Sequence, residues 1–291
     1  MGGLFKVRII DNLQEYKMPV KDELGKRMKE YYENIPKTKL MRRTPVAIRL
    51  DGKAFHTFTR GFEKPFDNVI TASMQETMKY LCENVQGCVL GYTQSDEITL
   101  ILIDYKKLDT SAWFDYEVQK MCSVAASMAT MAFNKEFDKQ QFKWLRNNCP
   151  VFWYDENCQE VDKEKHDIYR AYNTADAKGA MFDARVFNIP KEEVTNLIYW
   201  RQLDAIRNSI QMVGQANFSH KELQNKTCNQ IKDMLLDRKD INWDDLPTYK
   251  KMGSCCIKKK LDNGRTRWDI DTDIPVFKDE GREYIDSLIH F

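Results

Sequence analysis

An α+β fold is predicted for this chain of 291 residues. Strand-like and helix-like segments follow one another through its first two thirds in the order β-α-β-β-α-β. A mostly helical stretch comes next, and a hairpin signal, Asp262-Asn263-Gly264, stands near the end. The first order is that of a split βαβ, ferredoxin-like sheet. The remainder reads as a helical and β-hairpin C-terminal extension.

Each element has its own local reason. Residues 22–33 space Leu24, Met28 and Tyr31/Tyr32 as a helix does. Residues 36–43 form a basic connector. Residues 46–50, Val-Ala-Ile-Arg-Leu, read as a strand closed by Asp51-Gly52. Residues 68–85 place Ile70, Met74, Met78 and Leu81 on one helix face. Residues 88–92 and 98–103 are two strands around Thr93-Gln94-Ser95-Asp96-Glu97. Residues 113–137 are a long helix whose small residues Ser123, Ala125, Ala126, Ser127 and Ala129 let it lie close against a sheet. Residues 139–179 show weak periodicity and are expected to be an insertion or long functional loop. Residues 182–188 are the fourth strand. Pro190 opens a helix to about residue 215, and 227–238 give a shorter one. Residues 255–260 and 265–270 flank the hairpin turn. The expected organisation is an N-terminal extension over 1–21, a catalytic domain over 22–190 and a helical and hairpin region over 191–291.

Composition excludes several classes. Apolar residues are 42% and charged residues 31%, enough for a core and too few apolar for a membrane protein. Basic and acidic residues number 45 and 44, so the chain is no polyelectrolyte. Their placement is uneven: residues 1–60 hold 14 Lys/Arg against 7 Asp/Glu, a surplus that can face phosphates. The last 31 residues hold 4 against 8 and repel them. The stretch free of charge at 121–134 is 14 residues long, short of the ~20 that cross a bilayer. The start of the chain shows no secretory signal or myristoylation pattern. Eight cysteines occur without a Cys-x-x-Cys, which indicates reduced thiols in a cytoplasmic protein.

The chemistry points to Asp51 and Asp96. In a split βαβ sheet the first and third strands are antiparallel neighbours, so the end of one lies beside the start of the other. Asp51 follows the first strand and Asp96 precedes the third. Two carboxylates brought to one sheet edge raise each other's pKa unless a cation stands between them. Gly52 permits a sharp turn and offers its carbonyl. Hard oxygen ligands of this kind suit Mg²⁺ with substrate phosphates, and two such ions hold both oxygens of a phosphoryl-type displacement. Glu97 adjoins Asp96, but strand alternation sends neighbours to opposite faces, which favours Asp96 as the ligand. Arg49, Arg60, Lys64 and Lys120 supply cations of the sort a triphosphate needs. Spacing assigns no role to His56. No phosphate-binding Gly-x-x-x-x-Gly-Lys loop, dinucleotide fingerprint or zinc His-Glu-x-x-His is present.

Larger motifs then match in order. Arg49-Leu50-Asp51-Gly52-Lys53-Ala54-Phe55-His56-x-Phe58, Lys64-Pro65-Phe66-Asp67 and Gly91-Tyr92-Thr93-Gln94-Ser95-Asp96-Glu97 are followed by Phe182-Asp183-Ala184-Arg185 and Trp200-Arg201-Gln202-x-Asp204. Together, over roughly residues 22–240, they resemble the tRNA(His) guanylyltransferase superfamily. The resemblance implies a polymerase-like palm domain that extends RNA in the 3′-to-5′ direction, with ATP or GTP activating a 5′-monophosphorylated tRNA. It implies that Asp51, the Gly52 carbonyl and Asp96 hold two Mg²⁺ ions and that Glu97 supports them. Lys64, Ser95, Lys120 and Arg49 would meet nucleotide phosphates, and His56 would serve activation. Eukaryotic members carry His-Ile-Asn-Asn after Trp-Arg-Gln-x-Asp-Cys, whereas Asp204 is here followed by Ala205-Ile206-Arg207-Asn208. That departure resembles the guanylyltransferase-like branch of bacteria and archaea, which repairs tRNA 5′ ends by Watson–Crick templating, as a homotetramer built from two dimers. Dedicated addition of the extra G to tRNA(His) is the alternative. A palm-type nucleotidyl cyclase needs the same carboxylates without RNA. A non-catalytic RNA-binding module would use only the basic residues and Tyr31, Tyr32, Phe55 and Phe58.

Overall fold

A computed structural model describes residues 22–148 and 163–290. The chain divides into two units, Met1–Thr38 and Lys39–Phe291. In the first, helix α1 (Glu23–Met28) starts where the Asp22 side chain accepts a hydrogen bond from the Gly25 N–H at 2.8 Å. It continues as a π-helical turn over Lys29–Glu33. The helical spacing predicted for 22–33 is therefore present, yet Leu24, Tyr31 and Tyr32 stand exposed.

The second unit is built on an antiparallel sheet of β1 (Val46–Gly52), β2 (Cys88–Gln94), β3 (Glu97–Leu102), β4 (Phe182–Asn188), β5 (Ser254–Lys260) and β6 (Thr266–Asp271), in the order β4-β1-β3-β2-β5-β6. Between β1 and β2 lie α2 (Phe55–Phe58) and α3 (Asn68–Asn84). Between β3 and β4 lie α4 (Val118–Asn148) and α5 (Lys163–Lys178). Helices α6 (Lys191–Asn217), α7 (His220–Leu223), α8 (Cys228–Lys239) and α9 (Thr248–Met252) precede β5, and α10 (Glu283–Ile289) follows β6.

Strand alternation divides the apolar residues between two faces. Val46, Ile48, Leu50, Ile98, Leu100 and Leu102 face Met74, Met78 and Leu81 of α3 and Ala125, Ala129 and Phe133 of α4. Ala125 and Ala129 are fully buried, which is how the small-residue helix fits closely on the sheet. Ala47, Ile101, Leu90 and Tyr92 face the other way, against Val194 and Ile198 of α6 and Ile285 and Ile289 of α10. Covered on both sides, β3 has every residue buried. A third cluster, with Ile210 and Val213 of α6 against Ile231 and Leu235 of α8, holds the helical region together.

Three expectations are corrected. The aperiodic stretch at 139–179 is not a loop where it is described: 139–148 prolong α4 and 163–178 form α5, while 149–162 lie outside the described residues. Phe137, Gln141, Trp144 and Leu145 are buried at helical spacing, and the charged residues between them mask that pattern. The strands also reach further, to Gly52 and Gln94, leaving only Ser95-Asp96 as the β2–β3 turn. Finally, the C-terminal hairpin is no separate extension. Its first strand pairs with β2, Tyr92 opposite Cys255, and extends the same sheet. The helices expected near 190–215 and 227–238 are present as α6 and α8.

The basic connector is spent on structure where it enters this unit. The Arg42 Nε donates to Asp104 at 2.7 Å, the Arg43 backbone N–H donates to the same carboxylate at 2.9 Å, and Lys39 pairs with Asp115. The surplus positive charge of this segment is thus neutralised at the Val46 end of the sheet, away from Asp51.

Candidate active site

Register decides what meets at the other end. Antiparallel pairing sets Asp51 of β1 opposite Glu97 of β3 and opposite Asp183 of β4. Directly opposed residues share a sheet face, so the three carboxylates form a row with Asp51 in the middle. Asp96 sits one position beyond, in the turn. Its carbonyl accepts the Gly52 N–H at 3.1 Å, which ties the turn to the strand carrying Asp51. Ser95, with φ 49° in the left-handed region, turns the chain, and its hydroxyl donates to the Asp96 carboxylate at 3.0 Å.

The backbone beside this turn is tightly constrained. A Cβ on Gly52 would lie 2.3 Å from the Phe55 ring, so no larger residue fits there without displacing that ring. Ala54 follows at φ 54°, and the chain enters α2 with Phe55 turned into the core and His56 exposed. Left-handed residues thus stand on both sides of the carboxylates, at Ala54 and Ser95.

Electrostatics mark the same spot. Burial raises the Asp96 carboxyl above its ordinary value; the Ser95 hydroxyl opposes the shift, the charge of Asp51 adds to it and His56 opposes it. A carboxylate uncomfortable in its ionised form beside a second carboxylate favours a bound cation. Among the described residues no group of three or more His, Cys, Asp or Glu side chains forms a metal cage. Asp51 and Asp96 fit a different pattern, the one or two carboxylates by which Mg²⁺ is held when substrate phosphates complete its shell.

Glu97 has another occupation. It is buried, and its carboxylate accepts from Arg201 Nε at 2.7 Å while Arg49 Nη2 lies 3.4 Å away. Burial raises its carboxyl, and Arg201 and then Arg49 work against that. Arg201 also donates to Asp204 at 2.9 Å, and Arg207 pairs with the same acid. Trp200 lies beneath both guanidinium groups, with ring centroid distances of 4.6 Å to Arg201 and 5.6 Å to Arg49. The Arg49 Nε is buried without a hydrogen-bond partner. The Trp-Arg-Gln-x-Asp motif is therefore the far half of an ion-pair network that braces α6 against β3. Sequence reasoning quoted that motif without a role, and it gave Asp183 none either. Cross-strand register reveals Asp183, and the packing of α6 on the sheet reveals the motif.

The remaining candidates are placed as follows. Lys64 is exposed, three residues before Asp67, the carboxylate that caps α3. Lys120 is not brought to the carboxylates within this chain. The Phe182 N–H, opposite Gly52, donates to Thr130 of α4 at 3.2 Å. Lys120 lies ten residues nearer the start of α4, about 15 Å along the axis, with its ammonium over the Phe114 ring at 4.8 Å.

Comparisons with known proteins find one family and its relatives. The sequence model described as tRNAHis guanylyltransferase matches residues 25–190. An uncharacterized protein of Acanthamoeba polyphaga mimivirus is 29% identical over 252 residues, covering 83% of this chain and 79% of its own length. A probable tRNA(His) guanylyltransferase of Drosophila melanogaster is 24% identical over 229 residues, 74% of this chain and 68% of its own. A bacterial tRNA(His) guanylyltransferase-like protein solved in complex with ATP superposes with a TM-score of 0.73 at 39% identity, covering 92% of this chain and 99% of its own. The structure of a bacterial guanylyltransferase-like protein in complex with GTP gives 0.67 at 36% identity, covering 93% and 100%.

Proposed function

The chain belongs to the tRNAHis guanylyltransferase family, a family of nucleotidyltransferases, and on that premise we propose that it adds nucleotides in the 3′-to-5′ direction to the 5′ end of tRNA under the direction of the acceptor strand. The observation that carries this reading is the meeting of Asp51, Gly52 and Asp96 at one end of the sheet. The strand order β4-β1-β3-β2 supports a ferredoxin-like, palm-type core.

The chemistry has two displacements. A 5′-phosphate oxygen of the tRNA attacks the α-phosphorus of ATP or GTP and pyrophosphate leaves. The 3′-hydroxyl of the incoming nucleoside triphosphate then attacks the activated 5′-phosphorus, and the nucleoside monophosphate leaves. Asp51, Asp96 and the Gly52 carbonyl would hold two Mg²⁺ ions, which when bound supply charge neutralisation at the reacting phosphates and ease loss of the hydroxyl proton. Ser95 orients the Asp96 carboxylate through its hydrogen bond. His56 is exposed on α2 and near enough to influence Asp96, and in this reading it would meet the activating nucleotide. Lys64 and Arg49 are the cations of this chain assigned to its phosphates, and Glu97 holds Arg49 from below. Lys120 would meet a triphosphate only from another subunit, as in the homotetramer that belongs to this reading together with a cytoplasmic setting.

Templated repair is favoured over dedicated G addition by Ile206. It stands where eukaryotic members carry the His of His-Ile-Asn-Asn, and here it packs into the apolar cluster of Ile210, Val213 and Leu235. The test is nucleotide incorporation on 5′-phosphorylated, 5′-truncated tRNA with each base in turn on the opposing acceptor position. Incorporation is expected to follow the opposing base. G inserted regardless of that base would establish the maturation activity instead, and cyclic nucleotide formed without RNA would establish a cyclase.

A further inference from the structure

Beyond the carboxylates, the surface between α2 and α5 opens into a cavity of about 440 Å³. Lys53, Arg60, Arg170 and Lys178 line it, against the single acid Asp167. Phe58 and Ala175 contribute apolar floor. None of the four cations has an ion-pair partner among the described residues, in a chain where Arg42, Arg201, Arg207 and Lys232 all do. Four unneutralised charges around one concavity repel one another, and a polyanion laid among them removes that repulsion.

Position and length identify the polyanion. Lys53 directly follows Gly52, so the cavity begins where the carboxylate site ends. Arg170 and Lys178 are eight residues apart on α5, which sets them about 12 Å apart along one helix face. That reach matches three to four phosphates of a strand at ~3.4 Å of axial rise each and exceeds a single triphosphate. We propose that this groove is an RNA-backbone subsite: it carries the acceptor-stem strand away from the 5′ end held at Asp51 and Asp96. Lys53 and Arg60 meet the phosphates nearest the reacting end, and Arg170 and Lys178 meet those further along. The proposal rests on the tRNA-directed reading above and adds where the strand runs.

The test compares the wild-type chain with Arg170→Ala/Lys178→Ala, two exposed positions on a helix face. Binding of a 5′-monophosphorylated tRNA transcript lacking its first nucleotide is measured by anisotropy from about 50 to 200 mM salt, and ATP binding is measured on the same proteins. The double variant is expected to lose about tenfold or more in RNA affinity at low salt. Its log–log salt slope should become shallower by about 1.4, at ~0.7 per strand phosphate contact, with ATP affinity unchanged. The charge-conserving Arg170→Lys/Lys178→Arg chain should bind as wild type does. RNA affinity and slope equal to wild type in the alanine variant would overturn the subsite. A fall in ATP affinity with RNA binding intact would overturn it too, by giving the groove to a free triphosphate. A wild-type chain that binds no tRNA at any salt would sink the tRNA-directed function itself and the groove with it, so the two failures are distinct.

Discussion

Asp96 is where stability and the proposed chemistry conflict most directly. Its carboxyl is raised by burial, with Asp51 adding to the shift. The sign follows from linkage. An acid whose folded pKa exceeds its unfolded value is stabilising when protonated and costs stability once ionised, so the penalty appears as pH rises through the folded value and persists at neutral pH. Asp96→Asn removes that charge at similar volume. The metal-free variant is expected to melt about 1–3 °C above wild type at pH 7 while losing nucleotide addition entirely; a melting point below wild type in scanning calorimetry would refute the conflict. On the proposed function, protonation of Asp96 competes with the metal, so at limiting Mg²⁺ the acid limb of activity is expected above the ordinary carboxylate value of about 4. Ser95→Ala removes the hydrogen bond that favours the ionised form, so its limb should lie higher still in a pH–rate profile at limiting Mg²⁺. That Asp51 and Asp96 come to one end of the sheet was legible in the sequence, because a carboxylate at a strand end and a carboxylate in a turn are local features. Their neighbours Asp183 and Arg201 were not, because each reaches the site by pairing with a segment far away along the chain.

At the scale of elements, Asp67 shows a conspicuous acid serving structure. It follows Lys64-Pro65-Phe66 in a motif that suggests function, yet its carboxylate accepts from the Ile70 N–H at 3.0 Å, the Glu63 N–H at 3.1 Å and the Tyr172 hydroxyl at 2.7 Å. It caps α3 and anchors α5 in one stroke. Asp67→Ala removes an N-cap, about 1 kcal/mol, and leaves a hydroxyl on a fully buried Tyr172 without an acceptor, about 1–3 kcal/mol more. A total loss of about 2–4 kcal/mol is expected in urea unfolding, with Tyr172→Phe costing less; equal stability of Asp67→Ala and wild type would show the cap to be idle. Tyr172 also explains why α5 escaped the sequence. Its ring packs on Phe62 at 4.7 Å and Trp144 at 5.3 Å, yet only Tyr172 and Ala175 of the sixteen-residue helix are buried. Two buried residues leave too faint a period to distinguish a helix from a loop, whereas α3 buries seven and was legible from end to end.

For the molecule as a whole, the C-terminal segment completes the fold. The β5–β6 hairpin covers the β2 edge, and Ile274, Phe277, Ile285 and Ile289 close the second face of the sheet. One buried side chain locks that closure: Gln202 of α6 donates to the Pro275 carbonyl at 2.8 Å and accepts the Phe277 N–H at 2.9 Å. Gln202→Ala leaves the buried Phe277 N–H without its acceptor, while the exposed Pro275 can turn to water, and is expected to cost about 1–3 kcal/mol, read as a lower urea midpoint with an unchanged slope; a loss below about 0.5 kcal/mol would mean the segment closes without it. The sequence by itself determined the order of the strands, the helices with a strong apolar period, the carboxylates that come to one sheet end and the family motifs, because periodicity, turn chemistry and short motifs are written in neighbouring residues. Only the tertiary structure decided that the hairpin continues the sheet, that Glu97 is held by Arg201 and Arg49, and that Lys120 lies at the opposite end from Asp51. Those outcomes depend on which apolar faces are left uncovered and on the register at which distant strands meet, and a one-residue slip in either would have turned every side chain to the other face.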